Sequence, residues 1–418
     1  MNAFRIFLLN AFLWRKKDMK RFISLAVLTL CAAGCGVRNL DGSDIKSGSG
    51  VWISPVVNQG GEEQKMVTYA VGVDYPDGYD WRSDMQSASV RCSLVVFWDG
   101  SPMVRIPVGD EYEVSSDPDM HRLIEGHLFT DFVTDSETVV KKDGLLLFRY
   151  PGRETIAAML CDGDEVYTLG RPRDGGGFSF RRNGETVLHR ENGYPFESLQ
   201  LDSGKICFSF CEPVRDSEGV SDRYFTVKDG VVERLQPLAD IDKIHDVVFH
   251  QGDVIYIGST RRDEHVLVHE GERKLLKNVS YKKMGAASVH MAGDTPWEIC
   301  VFPVDGEHLR YGLWKESEFY TIFPKGSSVS SICADGDELV CILNSSGDNA
   351  FIARRGTEHT ELPEGYFSIG SRTSHVINGN LTIGLSHTDC ARPIIWRSGV
   401  ADTLDMNGYV SAVAGFSD

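Results

Sequence analysis

Residues Phe180–Arg190 read FRRNGETVLHR: an apolar lead-in, an Asn-Gly pair, and a second run with alternating apolar residues. Asn183-Gly184 supplies the two positive-φ positions of a type I′ turn, so the stretch reads as a tight β-hairpin. The phrase recurs along the chain. VFWDGSPMVRI turns at Gly100, VVKKDGLLLFRY at Gly144, FTVKDGVVERL at Gly230 and VLVHEGERKLL at Gly271. FIARRGTEHTEL turns at Gly356 and IIWRSGVADTL at Gly399, while GLWKESEFYTI turns near Ser317, where the glycine is missing. Successive turns lie 39–46 residues apart.

A second marker falls earlier in each unit, a Gly with Asp or Asn beside it and a strand after it. It appears as GHLFTDFV at Gly126, GDEVYTLG at Gly163, GKICFSF at Gly204, GDVIYIG at Gly252, GDTPWEICVF at Gly293, GDELVCIL at Gly336 and GNLTIGL at Gly379. Another apolar run precedes it, such as ETIAAML or IHDVVFH. Each unit is therefore four short antiparallel strands, and no segment shows a sustained 3.6-residue apolar period. A period in the low forties with four strands per unit predicts an all-β fold, a β-propeller of four-stranded antiparallel blades. A solenoid has shorter coils, and sandwiches need no fixed period.

The tight turns count eight repeats. The tail GYVSAVAGFS (408–417) is a lone strand that would pair with the first blade and join the chain ends. VWISPVVN (51–58) competes for that place, so seven blades stand beside eight. Over nearly all of residues 50–418 the chain resembles propellers as a superfamily. It has no repeated Trp-Asp, no kelch Gly-Gly doublet and no sialidase Asp-box. The repeat is similar to the aromatic-x-Asn-Gly hairpin unit of exported bacterial propellers, a likeness that conveys fold and little else.

The first 34 residues read as an export signal. Met19-Lys20-Arg21 is basic, and FISLAVLTLCAA (22–33) is an apolar run of 12 residues, too short to span a bilayer. Residues 1–18 place a second apolar run upstream, which reads as a start assigned too early, with Met19 the true start. Ala32-Ala33-Gly34-Cys35 resembles the lipobox of bacterial lipoproteins, with Ala32 where that family usually has Leu. The resemblance implies that Cys35 is the lipid-attachment residue and that the chain meets the membrane through a lipid anchor. Gly36, rather than Asp, follows the cysteine, which in that family implies an outer-membrane lipoprotein of the cell envelope, facing the periplasm or the surface. Residues 35–49 are rich in Gly and Ser and form a flexible tether.

The chain carries 43 Lys/Arg and 60 Asp/Glu. The signal region holds six of the former and one of the latter, so the remainder has a net charge of −22. Such acidity argues against nucleic-acid binding, which needs basic surface. Eight cysteines lie beyond Cys35, most within apolar strand-like runs that mark small buried hydrophobes. Cys207 and Cys211 sit four apart on one strand, roughly 13 Å, too far to bond.

No standard catalytic signature is present, and neither cofactor nor metal is expected. His265 and His269, four apart on a strand, are too distant for one metal, and the Asp-Gly-Asp triplets at 162–164 and 335–337 fall at turns. Trp98, Trp314 and Trp396 recur before the tight turn and are expected to pack between blades. The loops between second and third strands gather on one face of a propeller. The longest, GVDYPDGYDWRSDMQSAS (72–89), offers Tyr75, Tyr79 and Trp81 to stack on a sugar or grip a peptide. Arg82, Arg171, Arg173, Arg261 and Arg392, with Arg215, Arg262 and Arg310, place guanidinium groups in these loops, where they would hold an anionic ligand unless neighbouring Asp neutralise them. The expectation is a binding module for a glycan or protein ligand, with a propeller-type glycan hydrolase or lyase and an envelope scaffold subunit as alternatives.

Overall fold

The structure is a computed structural model. It describes residues 66–82, 92–108, 121–196, 198–216, 219–262, 264–276, 287–304, 308–345, 352–355, 358–377, 379–389, 392–397 and 399–417. The expected export signal, Cys35, the expected tether, the 51–58 run, the end of the 72–89 loop, Cys390 and the turn at Gly356 lie outside the described residues.

The described residues form eight antiparallel sheets and no helix. In six sheets four strands run in order from the axis outward. In the other two the inner strand is split, as Tyr194–Pro195 with Gln200–Asp202 and as Tyr366–Phe367 with Ser374–Ile377. Numbered from the N-terminus, blades 2 to 8 span residues 121–151, 154–190, 194–235, 241–275, 287–322, 327–361 and 366–403. Blade 1 takes Met66–Asp74, Ser93–Trp98 and Ser101–Pro107 from the start of the described chain and its inner strand, Gly408–Ser417, from the end. The pairing runs from Met66 opposite Ser417 to Asp74 opposite Gly408. Each blade touches the next, and blade 8 meets blade 1 through Ser374–Ile377 against Gly408–Ser417, so the ring closes with eight blades. The tail therefore occupies the closing position for which the 51–58 run was a rival.

The repeated phrase has a repeated geometry. Asp99-Gly100, Asp143-Gly144, Asn183-Gly184, Asp229-Gly230 and Glu270-Gly271 all hold both central residues at positive φ, between 46° and 85°. The Asx residue adds a clamp. Asn183 N–H donates to the Val166 carbonyl at 2.8 Å, and Asn183 Oδ1 accepts from Val166 N–H at 2.9 Å. Asp99 clamps Thr68, Asp143 clamps Leu128 and Asp229 clamps Ile206 in the same way. The turn thus ties the third strand to the start of the second. In blade 6 the corresponding second-strand residue is Pro296, which has no N–H to give. Only the backbone bond from Glu316 to the Pro296 carbonyl survives, at 3.0 Å, and the turn carries Glu316-Ser317 instead of Asx-Gly.

The core lies between blades. Phe178 and Phe180 of blade 3 meet Phe210 and Phe208 of blade 4, with ring centroids 5.0 and 4.8 Å apart. Every other neighbouring pair shares such a layer, including Val95 and Phe97 of blade 1 against Ile395 of blade 8. Trp314 is buried against blade 5 and Trp396 against blade 7, as a between-blade role requires. Trp98 differs: it is half-buried and stacks on Tyr69 of its own blade, centroids 6.0 Å apart. The seven described cysteines beyond Cys35 are all buried.

A few ionisable groups sit in this core. Glu298, on the second strand of blade 6, is fully buried, and its Oε2 accepts the Ser317 N–H at 3.2 Å. Burial pushes its carboxyl up to about 8. His265 stacks on His245, centroids 5.0 Å apart, while His269 is half-buried on the same strand.

Two substitutions at the tight turns are readable by urea denaturation, and a third, at Glu298, by its pH profile. Asn183→Ala removes the side-chain half of the clamp and leaves a non-glycine, non-Asx residue at positive φ, and should cost about 1–2 kcal/mol. Ser317→Gly relieves the strain at φ 72° and should gain about 0.5–1 kcal/mol. The folded state holds the Glu298 proton to about 8, whereas the unfolded chain releases it near 4.5. The protonated carboxyl's contribution is thus intact below pH 4.5 and lost as pH rises through 8. Glu298→Gln should match the wild type at pH 4.5 and become the more stable of the two toward pH 9; parallel pH profiles for the two proteins would contradict this.

Candidate functional site

The long loop of blade 1 is held by the chain's own closure. Tyr75 N–H donates to the Asn407 carbonyl at 2.8 Å, and Asn407 N–H returns a bond to Asp74 Oδ1 at 2.8 Å. The Asn407 amide also donates to the carbonyls of Pro76 (2.7 Å) and Tyr79 (3.2 Å). Between them Pro76-Asp77-Gly78-Tyr79 makes a turn closed by Tyr79 N–H to the Pro76 carbonyl at 3.1 Å, with Gly78 at φ 77°. The following residue of the closing strand, Gly408, runs so close to Val73 that a Cβ there would lie 1.8 Å from the Val73 carbonyl oxygen. Only glycine fits, and the close approach brings Asn407 over the loop.

The loop's aromatic residues divide. Trp81 is expected from the sequence to face a ligand, and the structure corrects this: it is fully buried. Its ring packs at 5.4 Å from Tyr409, in a cluster with Val73, Leu94, Phe132 and Ile369 that draws on blades 1, 2 and 8. It pins the loop to the core. An indole in a loop has the same sequence signal whether it plugs or projects, and the apolar residues that receive this one come from distant blades. Tyr75 and Tyr79 are half-buried and stack on each other, centroids 5.4 Å apart and planes inclined by 19°. Burial raises the Tyr75 hydroxyl, so that residue stays neutral and backs Tyr79.

Arg82 spans the seam between blades 1 and 8. Its Nη1 donates to the Thr388 carbonyl, its guanidinium lies 5.5 Å from the Phe367 ring centroid, and its own N–H donates to Asp80 Oδ1 at 3.2 Å. Thr388 and Asp389 directly follow the second strand of blade 8, Asn380–His387. They are held by Thr388 N–H to the Gly365 carbonyl at 2.7 Å and Asp389 N–H to His387 Nδ1 at 3.0 Å. Together Gly78, Tyr79, Asp80, Arg82, Thr388, Asp389 and Asn407 line an open cleft of about 670 Å³.

The other arginines do not join this cleft. Arg392 is close in the fold but turns to Asp405 at 3.0 Å, and its carbonyl accepts the Tyr366 hydroxyl at 3.2 Å. Arg171, on blade 3, ties that blade to the next by donating to the Pro195 carbonyl at 2.8 Å. Arg173 is half-buried on the same blade, and Arg261, on blade 5, is exposed 3.7 Å from Asp242. The expected mouth of arginines is therefore corrected to one guanidinium, Arg82, with Asp80 and Asp389 beside it. Both acids are exposed. The cleft has an excess of acid over base, which removes the electrostatic reason to expect an anionic ligand such as a uronate.

Asp80, Thr388, Asp389 and Asn407 were not anticipated. One signal pointed at Asn407: it directly precedes the tail strand, and a tail paired with the first blade must bring its lead-in to the first blade's loop.

No family model and no curated protein sequence matches the chain. Solved structures with a similar chain path include the β-propeller domain of the Trilobed protease from Pyrococcus furiosus, which has an open velcro topology. It is 10% identical, with 66% of this chain and 87% of that one covered and a TM-score of 0.43. An acylaminoacyl peptidase of Pyrococcus horikoshii is 12% identical over 78% of this chain and 57% of its own length, with a TM-score of 0.42. BamB from Moraxella catarrhalis is 11% identical over 73% and 92%, with a TM-score of 0.39. The chain thus spans most of the isolated propeller and little more than half of the peptidase. By its own strand pairing this chain is a β-propeller, its ring closed by the last described strand.

Proposed function

We propose that this chain is an exported propeller, anchored in the cell envelope by lipid on Cys35, that binds a glycan in the cleft at the seam of blades 1 and 8. The observation that carries the reading is the half-buried Tyr79 ring at the cleft wall, backed by Tyr75 and flanked by a carboxylate, a guanidinium and an amide. A flat aromatic face takes the C–H face of a pyranose, while planar polar groups bond its hydroxyls in pairs. The open shape suits one segment of an extended chain rather than an enclosed small molecule. The anchor rests on the basic stretch, the apolar run and the small residues before Cys35, and the outer-membrane address on Gly36.

Three variants test this. On a glycan array probed with the chain lacking residues 1–49, Tyr79→Ala and Arg82→Ala should each weaken binding to the best ligand about tenfold, equivalent to ~1.4 kcal/mol. Trp81→Ala should act on the fold instead, costing about 3–5 kcal/mol as expected for a buried aromatic. A glycan signal unmoved by Tyr79→Ala, or no signal with any glycan, removes the reading. Separately, Cys35→Ala should move the full chain from the membrane to the soluble fraction; a variant still in the membrane counts against lipid attachment.

A further inference from the structure

His387 is the last residue of the second strand of blade 8 and stands directly before Thr388 and Asp389, which line the seam cleft. Its half-buried ring is wedged in place. It meets the Tyr366 ring edge-on, centroids 4.7 Å apart, and Tyr366 is itself tied through its hydroxyl to the Arg392 carbonyl at 3.2 Å. It also packs on the backbone of Gly365, where a Cβ would lie 2.7 Å from His387 Nε2. The imidazole therefore has little room to turn, and whatever it bonds must adjust to it.

One bond fixes the charge of this ring. Asp389 N–H donates to His387 Nδ1 at 3.0 Å. A backbone N–H can only donate, so Nδ1 carries a lone pair and the proton of the neutral imidazole sits on Nε2. A protonated ring has an N–H at both nitrogens and cannot accept this bond. The titratable and charged groups around it are Tyr366 and Glu364 on the lead-in to blade 8, Asp389 on its own segment, and Arg82 from blade 1, held at the Thr388 carbonyl. Among the described residues none of the three charged groups is ion-paired with the ring.

We propose that His387 is a proton-operated latch on the seam cleft: the neutral ring holds Asp389 and Thr388 in the cleft wall, and protonation releases them. The latch is a property of the free chain, while its effect on a ligand rests on the cleft being a glycan site. Because Tyr366 and Gly365 hold the ring, two opposed N–H groups are relieved by movement of the 388–389 segment. That segment also presents the carbonyl to which Arg82 donates. Its remaining tie is the Thr388 N–H bond to the Gly365 carbonyl at 2.7 Å. One proton thus acts on three lining residues, Arg82, Thr388 and Asp389. The sign follows from the bond: the wall is intact while the ring is neutral and is lost as pH falls and the ring charges. Histidine is the side chain that ordinarily makes this change between about pH 8 and 5. Apparent affinity falls with the fraction of chains whose latch is closed.

The test begins with the free, isotope-labelled full chain, in which the His387 ring and the Asp389 amide are followed by NMR from about pH 8 to 5. The Asp389 amide should shift with the same midpoint as the His387 ring, while the rest of the spectrum stays dispersed and shows the propeller intact. The best glycan from the array should bind about fivefold or more weakly at the acid end than at the neutral end of that range. His387→Asn places an acceptor oxygen near the Nδ1 position at every pH, and its affinity should be the same at both ends. An Asp389 amide that does not follow the His387 ring overturns the latch, a result that needs neither a variant nor a ligand. Equal glycan affinity at the two ends overturns it as well, as does an equal acid loss in His387→Asn. If no glycan binds at either end, the glycan reading of the cleft falls and the Asp389 amide alone decides: a midpoint shared with His387 upholds the latch, and an independent one removes it.

Discussion

The antiparallel pairing of Gly408–Ser417 with Met66–Asp74 is the constraint on which the other contacts depend. A propeller has no central core. Its apolar surface is buried between neighbouring blades, and an open ring would leave the facing sides of blades 1 and 8 in water. Building blade 1 from the first and last described strands fixes the closing strand within the blade-1 sheet, where it also faces blade 8. Ser411 Oγ donates to the Val71 carbonyl at 3.2 Å and Val413 N–H to the Arg372 carbonyl at 2.8 Å, so the closing strand is bonded to blade 1 and to blade 8 at once. A strand joined at both sides cannot leave without exposing two apolar layers, which ties the stability of the whole ring to these ten residues.

The same closure makes the candidate site. Asn407 is the last residue before the closing strand, and its side chain and backbone hold the 75–79 turn. Arg82 reaches from that loop to blade 8. The cleft therefore lies where the first and last described strands pair, and the proposed site shares residues with ring closure. Such a site is preorganised by the fold instead of by a long flexible loop, which lowers the ordering cost of binding.

Some residues behave as local chemistry demands and others do not. The Asx-Gly turns kept their expected geometry in every described instance, and even the exception at Glu316-Ser317 has a local cause in Pro296, twenty residues earlier. Trp81 departs from expectation because its environment is assembled from three blades, and no window of sequence contains them. The arginines depart for a related reason. Their loops share one face, but eight blades spread that face around a ring, so Arg171 and Arg261 each find a nearby partner instead of a common centre. Facing the same way around a ring is not the same as converging.

What the amino-acid sequence determined by itself is the module: four strands, two tight turns and a period in the low forties, because turn dihedrals and strand alternation are set by neighbours within a few residues. The leader proposed before Cys35 rests on local sequence in the same way. The tertiary structure decided the blade count, the identity of the closing strand, the burial of Trp81 and the meeting of Arg82, Asp389 and Asn407. Those depend on which distant surfaces come together when the ring shuts, a choice made by the packing of blade against blade and written in no single repeat.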